Sequence, residues 1–188
     1  MKKAISFILL AATQIACIAK PNVILIFCDD LGYADIGCYG AEDIPTPNLD
    51  KMAAEGLRLT SFYATASVCM PSRAGLMTGC YPARIGVKGN VHPHENWGLH
   101  PDEYTMAEMF QDAGYATGIF GKWHLGHACG LRPTDQGFQD ALYIPYSHDM
   151  YKGAPWHKTF TQNFPEDFVP LISGEKTAWG LRTLDDFS

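Results

Sequence analysis

Residues 67–79 read SVCMPSRAGLMTG and are followed at 81–84 by YPAR. Proline is tolerated in the first turn of a helix, so Pro71 predicts that a helix begins close to Cys69. Arg73 lies one turn further along and on the same face as Cys69. The N–H groups of that first turn and the arginine fork together suit a tetrahedral oxyanion, either phosphate or sulfate. Taken alone, Cys69 also fits a small buried hydrophobe before an ordinary helix.

A second candidate site follows an apolar run closer to the start of the chain. Residues 21–27 read PNVILIF, a continuous apolar pattern typical of a strand buried on both faces of a parallel sheet. Asp29 and Asp30 follow at the end of that strand, where open α/β sheets bind their ligands. Paired carboxylates suit calcium or magnesium. The residues alone leave open a solvated turn or a helix N-cap.

The segment between these two sites predicts a helix and a strand. Residues 46–56 read TPNLDKMAAEG, with a capping threonine, a proline at the first helical position and a glycine after the last turn. Residues 57–63 alternate between polar and apolar and indicate a strand leading towards Cys69. The order strand, helix, strand favours a doubly wound α/β sheet.

A further helix and strand follow in the second half of the chain. Thr105 and Glu108 form a capping box, and four apolar residues after Thr105 share one helical face: Met106, Met109, Phe110 and Ala113. Residues 115–120 predict the next strand. Lys122 and His124 come just after it, so the same strand-end rule predicts that they lie near Asp29, Asp30 and Cys69.

The residues between 86 and 101 predict a loop, because glycine, proline, histidine and asparagine are abundant there. His92 and His94 lie in it, two residues apart. Without a third ligand nearby, two histidines indicate an exposed loop and not a metal site. We therefore leave both out of the predicted site.

Two of these segments carry motifs in a fixed order. Cys-x-Pro-Ser-Arg at 69–73, followed by Thr-Gly and Tyr-Pro-x-Arg, resembles the signature of the sulfatase family. Gly-Lys-Trp-His-Leu-Gly at 121–126 resembles the second signature of the same family. The resemblance spans residues 21–150 and implies an α/β fold, an alkaline-phosphatase-like sandwich whose mostly parallel central sheet is flanked by helices.

The resemblance also implies a chemistry. In sulfatases a maturation enzyme oxidises the matching cysteine to formylglycine, and the hydrated aldehyde attacks sulfate esters. Cys69 is then the residue to be modified, and Asp29 and Asp30, with residue 69, are the ligands of a calcium ion. The implied function is hydrolysis of sulfate monoesters of the arylsulfatase type, on aryl sulfates or on sulfated glycans or lipids.

The remaining site residues follow from the same resemblance. Arg73 and Lys122 are expected to bind the negative charge, and His124 is the candidate base for the second step, in which sulfate is released. The string LYIPYSHDM at 142–150 is most similar to arylsulfatases. It implies that Ser147 and His148 contribute with Lys122 to the substrate pocket, although a plain loop is an open alternative for both residues.

The first residues predict export. Two lysines precede a short apolar run at 4–12, which is typical of a secretory signal peptide over residues 1–19 and too short for a transmembrane span. The mature chain, residues 20–188, is then a periplasmic or extracellular catalytic domain. Lipoprotein anchoring at Cys17 is an open alternative.

Composition and charge exclude several other classes of protein. The 188 residues are 47% hydrophobic and 18% charged, which indicates one globular domain. A net charge of −6 argues against a nucleic-acid partner. The six cysteines show no compact repeated spacing, so no disulfide pairing is predicted, and Cys69 has to stay unpaired for the proposed chemistry.

One part of the sulfatase pattern is missing from the sequence. Two further metal ligands and a second lysine and histidine are expected from later chain, so the sequence resembles the N-terminal part of a sulfatase, incomplete at its C-terminal side. We expect these 188 residues alone to be inactive. Two alternatives stay open: a phosphonate or phosphate monoester hydrolase of the same superfamily, and a non-catalytic binding protein that keeps the fold.

Overall fold

The computed structural model describes residues 20–147 and the short strand Ile172–Gly174. The chain divides into two compact units, residues 1–58 and residues 59–188. The predicted signal peptide at 1–19, including Cys17, lies outside the described residues, and so does His148.

The first unit contains a 3-10 turn at Gly37–Tyr39 and helix α1, Pro47–Glu55. The predicted helix over 46–56 is confirmed, with Pro47 in its first turn. Thr46 does not cap this helix directly. Its hydroxyl instead accepts from the Gly37 N–H at 2.8 Å and donates to Asp50 Oδ1 at 3.2 Å, so it ties the 3-10 turn to the start of α1.

The predicted buried strand over 21–27 is wrong for this structure. Those residues have no regular secondary structure, and Ile24 is 86% exposed. A strand needs a hydrogen-bonding neighbour, and residues 20–58 contain no second strand with which it can pair. Apolar composition therefore does not suffice to predict a strand, because it does not identify the segment with which the strand would pair.

The second unit contains helices α2, Cys69–Thr78, and α3, Met106–Asp112, with 3-10 turns at Pro82–Ile85 and Pro133–Asp135. Both predicted helices are confirmed. Thr105 and Glu108 form the predicted capping box, with Thr105 Oγ1 accepting from the Glu108 N–H at 3.2 Å. The strand predicted over 57–63 is absent from the structure, and Tyr63 is 81% exposed.

The sheet of the second unit has three strands in the order β1–β2–β3: Gly118–Lys122, Asp140–Ile144 and Ile172–Gly174. β1 and β2 are parallel, with Lys122 opposite Ile144. β3 runs antiparallel to β2. The sheet is therefore mixed, and β1 begins three residues later than the sequence predicted.

The core of the second unit includes residues that the sequence assigned to a loop. Residues 86–101 have no helix or strand, yet Val91 and Leu99 are completely buried. They belong to one core cluster with Met70 and Ala74 of α2 and with Trp123, which directly follows β1. On α3 the buried side chain is Ala107, whereas Met109 on the predicted apolar face is 47% exposed.

Candidate active site

The candidate site begins at the N-terminus of α2, where Cys69 is the first helical residue. Cys69 is half-buried, and none of the cysteines in the described residues forms a disulfide. The preceding Val68 is extended and has no side chain that can cap the helix. The Met70 N–H is instead bound by the side chain of Asn90, at 2.9 Å to Oδ1.

Close packing fixes helix α2 in place. Met70 and Ala74 are completely buried. A Cβ atom on Gly75 would lie 2.1 Å from Thr65 Oγ1, so only glycine permits this approach. Gly79 ends the helix in the left-handed conformation, at φ 67°. Cys69 is therefore presented by a rigid helix, which is what a reacting residue requires.

Arg73 and Lys122 connect α2 to the end of β1. Arg73 Nη1 donates to the backbone carbonyl of Lys122 at 2.6 Å. Lys122 Nζ donates to Ser147 Oγ at 2.7 Å. The positive charges of Lys122 and Arg73 both act on the His124 ring. Positive charge gathered around one ring favours a negatively charged ligand.

His124 follows two residues after β1 in a strained backbone conformation. Its φ is +57°, in the left-handed region that residues other than glycine rarely adopt. The parallel pairing with β2 continues past the strand and holds it there, because Trp123 N donates to Ile144 O at 3.0 Å and His124 N donates to Pro145 O at 3.1 Å. Such strain is concentrated at functional sites.

The hydrogen bond of the His124 ring identifies its tautomer. Nε2 lies 3.0 Å from the Val91 carbonyl oxygen, which can only accept, so Nε2 carries the proton. The ring is completely buried, and Nδ1 has no partner among the described residues. In the neutral ring Nδ1 therefore carries a lone pair, as a general base requires.

Burial lowers the pKa of His124 to about 4. The positive charges of Lys122 and Arg73 act in the same direction, and the hydrogen bond to Val91 opposes them. His124 is therefore neutral at physiological pH, in the protonation state that accepts a proton.

This pKa predicts a loss of stability on acidification. Between pH 6.5 and pH 4 the unfolded state binds a proton at this position that the folded state does not, so the free energy of unfolding falls as pH falls. A shift from 6.5 to about 4 corresponds to about 3 kcal/mol. Urea unfolding at several pH values measures it. His124→Gln should flatten the profile, whereas the exposed-site control His100→Gln should not; equal slopes in all three proteins would contradict the assignment.

Tyr146 and His127 complete the buried surroundings of His124. The Tyr146 ring is completely buried and meets the His124 ring edge to face, at 5.6 Å between centroids. Its hydroxyl hydrogen-bonds Nδ1 of His127. Tyr146, one residue before Ser147, therefore packs against the same His124 ring whose Nε2 donates to the Val91 carbonyl.

The predicted metal ligands Asp29 and Asp30 lie in the first unit, and both are exposed. Asp30 has φ +58°, the other positive value outside glycine in the described residues. Two adjacent carboxylates fit a hard cation such as calcium in kind. They do not fit it in number, because the described residues contain no group of three or more possible histidine, cysteine or carboxylate ligands.

The structure thus brings together part of the predicted site. Cys69 and Arg73 share α2, and Arg73, Lys122 and Ser147 are joined by hydrogen bonds. Asn90 and the Val91 carbonyl were not predicted, because both lie in the segment that we predicted to be an exposed loop. The glycine and asparagine at 89–90 mark a turn in the sequence, but they carry no sign of its contacts.

This fold and site define a class of protein. The family model described as Sulfatase matches residues 21–179, and the chain belongs to the sulfatase family. Its fold is that of the family, the alkaline-phosphatase-like α/β fold, as predicted.

Particular relatives are similar over most of the chain. Human arylsulfatase A is 50% identical over 148 residues, which are 77% of this chain and 29% of that protein. Human arylsulfatase G is 51% identical over 131 residues, 70% of this chain and 25% of that protein. The chain therefore spans less than a third of the length of these relatives.

A solved structure agrees with the fold. The PsFucS1 sulfatase from Pseudoalteromonas sp. is 34% identical and superposes with a TM-score of 0.70, covering 95% of this chain and 39% of that one. Within the described residues, no helix combines the length and apolar character needed to cross a membrane.

Proposed function

We propose that the protein of which this chain is part hydrolyses sulfate monoesters, as an arylsulfatase-type sulfuric ester hydrolase. The observation that carries the proposal is the position of Arg73, Lys122 and neutral His124 beside the helix that begins at Cys69. A sulfate ester needs positive charge around its oxygens, a nucleophile and a proton acceptor. These four residues supply each of those groups from one unit of the chain.

Cys69 is proposed to be converted to formylglycine by a maturation enzyme. The hydrated aldehyde would supply an oxygen nucleophile and a second hydroxyl that allows the sulfate to be expelled again. The position of Cys69 is compatible with this modification, because Cys69 forms no disulfide and is half-buried, next to the buried Met70. The N-terminal end of a helix also favours negative charge.

Arg73 and Lys122 are proposed to bind the sulfate oxygens. The Arg73 guanidinium is a planar fork of N–H donors suited to sulfate oxygens, and Nη1 donates to the Lys122 carbonyl. Ser147 holds Lys122 Nζ at 2.7 Å and restricts the ammonium to one position. His148 remains a proposed substrate-binding residue. His124 is proposed to accept the proton of the second hydroxyl on Nδ1, since Val91 occupies Nε2.

Asp29 and Asp30 are proposed to hold a calcium ion together with residue 69 and ligands from later chain. When bound, calcium would polarise the sulfate and the attacking oxygen. We also propose that residues 1–19 are a signal peptide, that residues 20–188 belong to the catalytic domain, and that the protein is exported to the periplasm or the extracellular space.

Two measurements on the full-length protein test the proposal. Mass spectrometry of the peptide that spans residue 69 should show formylglycine after expression with a maturation enzyme. Turnover of an aryl sulfate should exceed turnover of the phosphonate ester of the same phenol. Faster phosphonate hydrolysis would identify the alternative monoester hydrolase. An unmodified cysteine in a host that matures other sulfatases would favour the non-catalytic binding protein instead.

A further inference from the structure

Two adjacent residues of the segment 86–101 contact two different parts of the candidate site. Asn90 Oδ1 accepts a hydrogen bond from the Met70 N–H at 2.9 Å, in the first turn of α2. The Val91 carbonyl accepts from His124 Nε2 at 3.0 Å. Two consecutive residues therefore bind the helix that presents Cys69 and the ring of His124, one through its side chain and the other through its backbone carbonyl.

The first of these contacts replaces a missing helix cap. Helices leave their first N–H groups without a partner inside the helix, and a serine, threonine or asparagine immediately before the helix normally binds the N–H of the second or third residue. Val68 stands at that position and has no polar side-chain atom. Pro71 has no N–H to offer. Asn90 does the work of an N-cap residue for Met70 from 20 positions away in the sequence.

The second contact lies in the core. Val91 and His124 are both completely buried, so the position of the Val91 carbonyl determines where the His124 ring finds its acceptor. Consecutive Cα atoms across a trans peptide are separated by a constant ~3.8 Å. A shift of Asn90 that follows the helix therefore moves the Val91 carbonyl, and with it the acceptor that determines the tautomer and orientation of the His124 ring.

We propose that Asn90 is a positioning residue that sets the first turn of α2 and, through the neighbouring Val91 carbonyl, the His124 ring in one fixed relative geometry. The proposal deepens the proposed function and rests on it for the catalytic meaning of that geometry. Asn90 does not itself touch the reacting atoms. Its contribution is to keep residue 69 and Nδ1 of His124 at a fixed distance and orientation during the reaction. Small displacements of reacting groups cost up to ~100-fold in rate.

The test compares three variants of the full-length protein. Asn90→Leu keeps the approximate size and removes the acceptor, Asn90→Asp keeps an acceptor oxygen at the same position, and Asn96→Leu is the control at an exposed asparagine of the same segment. Asn90→Ala repeats the deletion without added branching if the leucine variant does not fold.

Two of the measurements do not depend on activity. In Asn90→Leu the Met70 amide should exchange its hydrogen at least ~10-fold faster, because it has lost its acceptor. The side-chain ¹⁵N signals of His124 in histidine-labelled protein should move away from those of the Nε2–H tautomer. Asn90→Asp should restore both signals, and Asn96→Leu should leave both unchanged. Kinetically, Asn90→Leu should lower kcat roughly 10- to 100-fold with little change in KM.

The outcomes separate the inference from the proposed function. Unchanged Met70 exchange in Asn90→Leu, or faster exchange with parental His124 signals, overturns the positioning role even in an active enzyme. Altered Met70 and His124 signals in a protein that hydrolyses no sulfate ester support the coupling but contradict the proposed function. A fall in kcat without any change at His124 also counts against the inference.

Discussion

Replacing Cys69 with alanine in the full-length protein is expected to abolish turnover of aryl sulfates, by a factor of ~10⁴ or more. Cys69 is the first residue of α2, whose Arg73 donates to the Lys122 carbonyl, and it is the proposed precursor of the nucleophile. Alanine is a good helix former and leaves the first turn intact, so the loss reflects chemistry and not folding.

Cys80 provides the matched control, since it is also half-buried and forms no disulfide. Cys80→Ala is expected to keep parental turnover within about a factor of three, as most substitutions away from a site do. The measurement is the initial rate on an aryl sulfate, with urea unfolding to show that both variants fold. Substantial activity in Cys69→Ala, or equal losses in both variants, would remove Cys69 from the proposed mechanism.

Helices α2 and α3 were predictable because their signals are local. Pro71 marks the start of α2, and Thr105 with Glu108 marks the start of α3. Each signal acts within a few residues, through backbone N–H and C=O groups that a helix leaves without partners at its ends. Cys69 therefore lies at the start of a helix, as predicted.

The strands were harder to predict for the opposite reason. The apolar runs at 21–27 and 57–63 have strand-like composition, but a strand exists only where another segment pairs with it. β1 forms because residues 118–122 have the parallel partner β2, more than twenty positions further along the chain. Composition contains no information on which segment becomes that partner.

The contacts of the site were unpredictable for the same physical reason. Arg73 reaches a backbone carbonyl 49 positions away, and His124 reaches one 33 positions away. Backbone carbonyls have no side-chain identity in the sequence, so Val91 gave no signal. From the sequence, Asn90 could be predicted only to lie in a turn. The motifs identified which side chains matter, whereas the partners that orient them are visible only in the structure.

His124→Ala is expected to change the time course of the reaction. Lys122→Ala is expected to weaken substrate binding and to lower kcat/KM. Lys122 carries a fixed charge that binds sulfate oxygens before and during the reaction, so its loss should raise KM and lower kcat/KM together. His124 is neutral and offers Nδ1 as a proton acceptor, which the proposed mechanism needs only for releasing sulfate. Removing a general base costs roughly 100- to 10,000-fold in the step that it serves.

His124→Ala should therefore release about one equivalent of alcohol rapidly and then turn over very slowly, because the first step proceeds and the second stalls. Stopped-flow detection of the phenol records the burst, and radiolabelled sulfate should remain on the denatured protein. Since His124 is completely buried, His124→Gln serves as the second variant: its amide can still donate to the Val91 carbonyl but cannot act as a base. If neither variant shows a burst or retains sulfate, His124 acts in the first step or binds sulfate alongside Lys122.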